Sequence, residues 1–177
     1  MNNSSTRRDF VKASSALTAG ALLASPYIAN AAKDDKVIKI GLVGIGGRGS
    51  GAAAQAMNAD PNVALTAIGD LFEDRIKLRS RILKARGRDK YQVTDETTFT
   101  GFDAYKKVID SGVDVVILTT PPAFRPQHLE YAIEKGVHCF FEKPVAVDAV
   151  GVRKVIELAK KAKEKNLSFM SGFCWRS

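Results

Sequence analysis

The sequence predicts an α/β fold, a doubly wound parallel sheet, on three observations. Apolar runs of strand length alternate along the chain with amphipathic segments of helix length. The first run, Val37 to Val43, leads directly into Gly44-Ile45-Gly46-Gly47-Arg48-Gly49, a Gly-x-Gly-x-x-Gly spacing, and an alanine-rich segment follows. A second run, Val63 to Gly69, ends on Asp70, at about the distance from the glycines where a ribose-binding acid stands in a dinucleotide fold. The glycine spacing alone is a weak signal. Flanked by strand, helix, strand and acid, it predicts a Rossmann domain that binds a dinucleotide.

The remaining elements follow in order. The alanine-rich helix is expected over Gly51 to Met57 and a charged helix from about Phe72 to Ala85. The polar segment Gly87 to Thr100 is read as a loop with a short strand. Asp103 is positioned to cap a small helix that Gly112 closes. Val113 to Thr119 is a continuous apolar run of the kind buried on both faces of a parallel sheet. Pro126 opens the next helix and Gly136 ends it. Val137 to Phe141 is a strand, Asp148 to Lys165 a long amphipathic helix with Val152, Val155, Ile156, Ala159 and Ala162 on its apolar face, and Leu167 to Phe173 a last strand.

The glycine turn has a physical logic. Gly44 permits the tight turn, Gly46 lets backbone approach a pyrophosphate without a Cβ in the way, and Gly49 lets the helix pack close to the strand. N–H groups at the helix start then face the phosphate charge. Asp70 can accept hydrogen bonds from both hydroxyls of the adenosine ribose and would repel the extra phosphate of NADP, so NAD is the expected cofactor and NADP is disfavoured. Its other reading is as a cap for the helix beginning near Phe72, and the two roles are compatible. Arg48 is placed to reach a phosphate, which would soften the preference.

The N-terminus has the pattern of an export signal. Thr6-Arg7-Arg8-Asp9-Phe10-Val11-Lys12 precedes an uncharged stretch, Ala13 to Leu23, and then Ala29-Asn30-Ala31. The paired arginines resemble a twin-arginine signal, and Ala-x-Ala a cleavage site after Ala31. The apolar part is too short to span a bilayer. Residues 1–31 are therefore read as a leader, residues 32–177 as one mature domain, and the destination as the periplasm. Cleavage would remove three basic residues and one acidic, taking the formal net charge from +8 to +6. The remaining lysines are dispersed, the run Lys160 to Lys165 lies on a polar helix face, and no aromatic interleaving or nucleic-acid motif accompanies them, so nucleic acid is not an expected partner. Cys139 and Cys174 lie in apolar strands without metal-ligand spacing. They are read as buried thiols, and no metal site is expected.

Three later segments add to this: Thr119-Thr120-Pro121-Pro122 closing a central strand, His128 within Arg125-Pro126-Gln127-His128, and Glu142-Lys143-Pro144 closing the next strand. With the glycine turn and Asp70, their order resembles the Gfo/Idh/MocA oxidoreductase family over essentially the whole mature chain. The resemblance implies that Thr120, Pro121 and Pro122, with Thr119 and His128 beside them, line the nicotinamide side of the cofactor. It implies that Glu142 and Lys143 face nicotinamide and substrate. In the family this lysine hydrogen-bonds the reacting hydroxyl or carbonyl and stabilises developing negative charge, which makes Lys143 the candidate catalytic residue. Pro144 would fix the backbone leaving the strand, after a peptide bond that can be cis in the family. Phe173, Trp175 and Arg176 resemble the family's last strand and following turn. Taken singly, Glu142-Lys143 also reads as an ordinary strand-end pair, His128 as a packing residue and His138 as a core histidine.

Family members follow this domain with a second α/β domain that covers the nicotinamide, and it is absent from this chain. The resemblance therefore implies the N-terminal part of a longer two-domain enzyme, catalytically incomplete alone, that forms a homo-oligomer when the second domain is present. The implied reaction is hydride transfer between the nicotinamide and a sugar, cyclitol or related polyol. Two alternatives stay open: an NAD-using glycoside hydrolase of the same fold, and a stand-alone NAD-binding module without catalysis.

Overall fold

A computed structural model describes residues 36–173. The leader assigned to residues 1–31, and Cys174, Trp175 and Arg176, lie outside the described residues. Six strands, β1 (Ile38–Val43), β2 (Val63–Asp70), β3 (Thr98–Thr100), β4 (Val115–Leu118), β5 (His138–Glu142) and β6 (Phe169–Gly172), form one sheet in the order β3-β2-β1-β4-β5-β6. Every neighbouring pair is parallel. The strand order reverses between β1 and β4, so a crevice opens at their carboxyl ends, the place where such sheets bind ligands.

The helices are α1 (Gly47–Ala59), α2 (Glu73–Gly87), α3 (Ala104–Asp110), α4 (Arg125–Glu134) and α5 (Ala149–Glu164). Alternation along β4 shows how the two faces are covered. Val116 and Leu118 pack into a core with residues of α3, α4 and α5, while Ile117 points into a second core with Ala53 and Met57 of α1 and Leu83 of α2. Helix α1 starts a turn earlier than the alanine-rich stretch, because the Gly46 carbonyl already accepts a helical hydrogen bond from the Ser50 N–H at 2.9 Å. The polar segment after α2 holds a 3₁₀ turn, Arg88–Lys90, and β3.

Four expectations need correction. Asp103 stands at the start of α3, but its side chain makes no capping bond and pairs with Lys106 at 3.0 Å instead. Asp148 does cap α5, accepting from the Gly151 N–H at 2.6 Å. On α5 the buried stripe is Val155, Leu158 and Ala162, whereas Val152 and Ile156 are exposed. The helix lies at the margin of the sheet and has neighbours along a narrower strip than a full apolar face. His138 is half-buried rather than in the core, and its Nδ1 accepts from the Ser168 N–H at 2.9 Å, tying the starts of β5 and β6. In the lysine run, Lys165 donates to the Ile133 carbonyl at 2.8 Å, satisfying the end of α4, and is more than a solvated charge.

Cys139 is a buried free thiol whose pKa burial pushes up to about 12. Among the described residues no helix is long and apolar enough to cross a membrane.

The two aspartates should separate in a stability measurement. Asp148→Ala is expected to lower the urea-unfolding free energy by about 1 kcal/mol. Asp103→Ala, which loses only an exposed ion pair, should stay within about 0.5 kcal/mol of the wild type.

Candidate functional site

The three spaced glycines occupy three different environments. Gly44 has φ +91°, and a Cβ there would lie 2.8 Å from the Thr120 nitrogen. At Gly49 a Cβ would sit 2.1 Å from the Gly44 carbonyl oxygen and 2.4 Å from Thr119 Oγ1, so side-chain atoms are excluded by the packing of α1 on the turn. At Gly46 a Cβ would meet nothing within 4 Å. That open face borders a cavity of about 700 Å³ at the carboxyl ends of β1, β2, β4 and β5. No side chain caps the start of α1, which leaves the N–H groups of its first turn available to an anion.

The turn is held from two sides. Thr119 Oγ1 donates to the Gly44 carbonyl at 2.5 Å, so this hydroxyl is engaged with backbone even though Thr119 borders the cavity. Asp70 is 7% exposed; its Oδ2 accepts from the Ile45 N–H at 2.8 Å and its Oδ1 from the Phe72 N–H at 3.1 Å. Phe72 is the N-cap of α2, so Asp70 braces the glycine turn and its own strand end and is not that helix's cap. A carboxylate has about four acceptor positions, so roughly two remain at the cavity after these bonds.

Arg48 has a partner that sequence reasoning did not identify. Its Nε and Nη2 donate to Glu142 Oε1 at 2.7 and 2.6 Å. The ion pair crosses the crevice and gives the nearly buried Glu142 carboxylate the counter-charge it requires. The neighbouring Lys143 is exposed at the cavity rim and has no hydrogen bond or ion pair among the described residues. The Lys143–Pro144 peptide is cis.

Arg125, for which the sequence suggests no role, is 1% exposed. One guanidinium nitrogen donates to the Thr120 carbonyl and another to the Pro144 carbonyl at 3.0 Å, while Nε has no partner. The side chain therefore ties the loop after β4 to the loop after β5. Burial lowers its pKa, and the negative charge of Glu142 opposes that shift. One signal was present in the sequence: a cation in the first turn of a helix opposes the helix dipole and so calls for a specific partner.

His128 is 6% exposed, stacked on Tyr105 at 4.1 Å between ring centroids, with Nδ1 3.2 Å from Thr120 Oγ1. Burial first, and then the charge of Arg125, push its pKa down to about 4, so the ring is neutral at physiological pH. Gly44, Gly46, Arg48 and Asp70 border the cavity together with Thr120, Pro121, Pro122, His128, Glu142 and Lys143. Ile45, Gly47, Gly49 and Pro144 do not border it; Ile45 is fully buried in the core beneath, and Gly49 packs under the turn. Phe72, Arg75 and Phe102 complete the rim, with Arg75 4.9 Å from the Phe72 ring centroid. Nothing local in the sequence distinguished them from ordinary surface residues.

Residues 38–173 match the model of an oxidoreductase family with an NAD-binding Rossmann fold, GFO_IDH_MocA. A glycosyl hydrolase family 109 protein of Porphyromonas gingivalis is 26% identical over 131 residues, 73% of this chain and 27% of that protein. An alpha-N-acetylgalactosaminidase of Shewanella oneidensis is 27% identical over 184 residues, 93% of this chain and 39% of that protein. Among solved structures, a myo-inositol 2-dehydrogenase from Lactobacillus plantarum superposes with a TM-score of 0.61 at 26% identity, covering 77% of this chain and 36% of the other. A scyllo-inositol dehydrogenase from Lactobacillus casei with bound NAD(H) and scyllo-inositol gives 0.61 at 24% identity, covering 77% and 36%. The chain thus spans 27–39% of the length of these curated relatives.

The depressed His128 pKa has a consequence for stability. Between about pH 6.5 and about 4 the unfolded chain binds a proton that the folded chain does not, so stability falls as pH is lowered through that window. The loss is on the order of 3 kcal/mol. Urea-unfolding free energies taken at about pH 7 and about pH 4.5 should therefore differ less in His128→Gln than in the wild type, by about 2 kcal/mol.

Proposed function

The chain belongs to the Gfo/Idh/MocA oxidoreductase family, and from that membership we propose that it is the nucleotide-binding part of an NAD-dependent oxidoreductase acting on a sugar, cyclitol or related polyol. The observation that carries this reading is convergence: the open face of Gly46, the Asp70 carboxylate and the Lys143 ammonium all border one cavity. The residues fit a dinucleotide. The uncapped first turn of α1 and the space at Gly46 suit a pyrophosphate, and Asp70 retains acceptor positions for ribose hydroxyls. A carboxylate there opposes a 2′-phosphate, which favours NAD over NADP.

Bound NAD would supply the hydride acceptor or donor. Lys143 holds a substrate oxygen through its ammonium donors and stabilises negative charge as it develops there. Arg125 keeps the wall formed by Thr120, Pro121 and Pro122 at a fixed spacing from Lys143, so that the reacting groups meet in a defined geometry. His128 enters as a neutral group that orients Thr120 rather than as an acid.

A second reading, an NAD-using glycoside hydrolase, is favoured by the curated relatives, whose names are those of glycosyl hydrolases. Release of the phenol from an aryl α-N-acetylgalactosaminide without added NAD would favour it. NADH formation from cyclitols or sugars with no such release would favour the dehydrogenase. The leader pattern at Arg7-Arg8 supports export through the twin-arginine route; replacing both arginines with lysine should then leave the precursor in the cytoplasm, as seen by cell fractionation.

In calorimetric titrations, Gly46→Val and Asp70→Ala should each weaken NAD binding about tenfold or more, since one fills the phosphate approach and the other removes the ribose acceptor. Lys143→Met should lower kcat about a thousandfold while NAD affinity stays within about threefold. Unchanged affinity in both binding variants would remove the dinucleotide reading.

A further inference from the structure

The carboxyl end of β5 concentrates charge. Glu142, 7% exposed, receives the Arg48 guanidinium through Nε at 2.7 Å and Nη2 at 2.6 Å, both on Oε1. Arg125 is buried close enough for Glu142 to influence its protonation, and Lys143 follows in sequence. One cation is thus paired with the carboxylate and a second lies within its electrostatic reach. The pair reaches from the first turn of α1, beyond β1, to the end of β5, and β4 lies between those strands, so it crosses the crevice at the reversal of strand order.

Oxidised nicotinamide carries one positive charge and the reduced ring none. We propose that Arg48, by neutralising Glu142, sets the preference of this site between the oxidised and reduced cofactor; this rests on reading the Glu142–Lys143 end of the cavity as the nicotinamide end. Arg48 is a positioning residue in this scheme, acting through the carboxylate it holds. Without Arg48, Glu142 presents less compensated negative charge and favours the cationic ring. Without Glu142, the charge of Arg48, with that of Arg125 behind it, is uncompensated and favours the neutral ring. Contacts to pyrophosphate and ribose are common to both redox forms, so their loss weakens both affinities by the same factor and leaves the ratio unchanged.

The test is the ratio Kd(NADH)/Kd(NAD⁺), measured on the whole chain by calorimetry and NADH fluorescence. Arg48→Gln should raise it about tenfold, the scale of one charge acting over several ångströms in a partly buried site. Glu142→Gln should lower it by a similar factor, the double variant should return within about threefold of the wild type, and Arg48→Lys should keep the wild-type ratio. If Arg48→Gln does not fold, the downward shift in Glu142→Gln and the unchanged ratio in Arg48→Lys decide the matter. Equal shifts in both affinities, with no change of ratio in any variant, would overturn the inference and leave the binding reading standing. Failure of the wild type to bind either form would overturn both.

Discussion

Everything at the crevice depends on how closely the glycine turn lies against the end of β4. Thr119 Oγ1 donates to the Gly44 carbonyl at 2.5 Å, and an added methyl at Gly49 would come within 2.1 Å of that same oxygen. The start of α1, the turn and the strand end are thus one contact. Displacing any of them breaks a short hydrogen bond or creates a clash in a region packed at interior density. Because the contact fixes where α1 begins, it also fixes the reach of Arg48 toward Glu142 and the position of the Ile45 N–H that Asp70 holds.

The second constraint is electrostatic. A buried guanidinium is tolerated only where its donors find acceptors, and Arg125 finds them on two loops at once, the Thr120 and Pro144 carbonyls. A planar fork suits two carbonyls from different segments better than a lysine ammonium would. Its positive charge also helps explain why the adjacent His128 stays neutral, and it adds to the compensation of the nearly buried Glu142 carboxylate.

What could be read beforehand were the features whose cause is local. The strands appear as apolar runs because β4 and β1 are covered on both faces, and the Gly-x-Gly-x-x-Gly spacing encodes the turn. The features missed have distant causes. Arg48 and Glu142 are 94 positions apart, and nothing near either residue indicates the other. Periodicity gave the phase of α5 but not the width of the surface it meets, so Val152 and Ile156 were placed inward. Of the two histidines, His138 stands at the less covered start of an apolar strand and so is not in the core, while His128 packs as its residue context suggested, though its partner Tyr105 comes from another helix.

A division of labour follows from which polar groups are already engaged. Thr119, Arg48 and Arg125 direct their donors to other parts of the protein, and Asp70 uses two of its acceptor positions on backbone. Such groups fix geometry first, and only what they leave over, such as the roughly two remaining acceptor positions of Asp70, is open to a ligand. The groups without partners among the described residues, the first-turn N–H groups of α1 beside the bare face of Gly46 and the ammonium of Lys143, belong to residues at the same cavity. A ligand that gains from both must carry an anionic centre at the first and present an oxygen to the second, or leave room there for a second molecule that does. The proposed dinucleotide and polyol would meet that requirement, which arises from the order in which this fold satisfies its own polar groups.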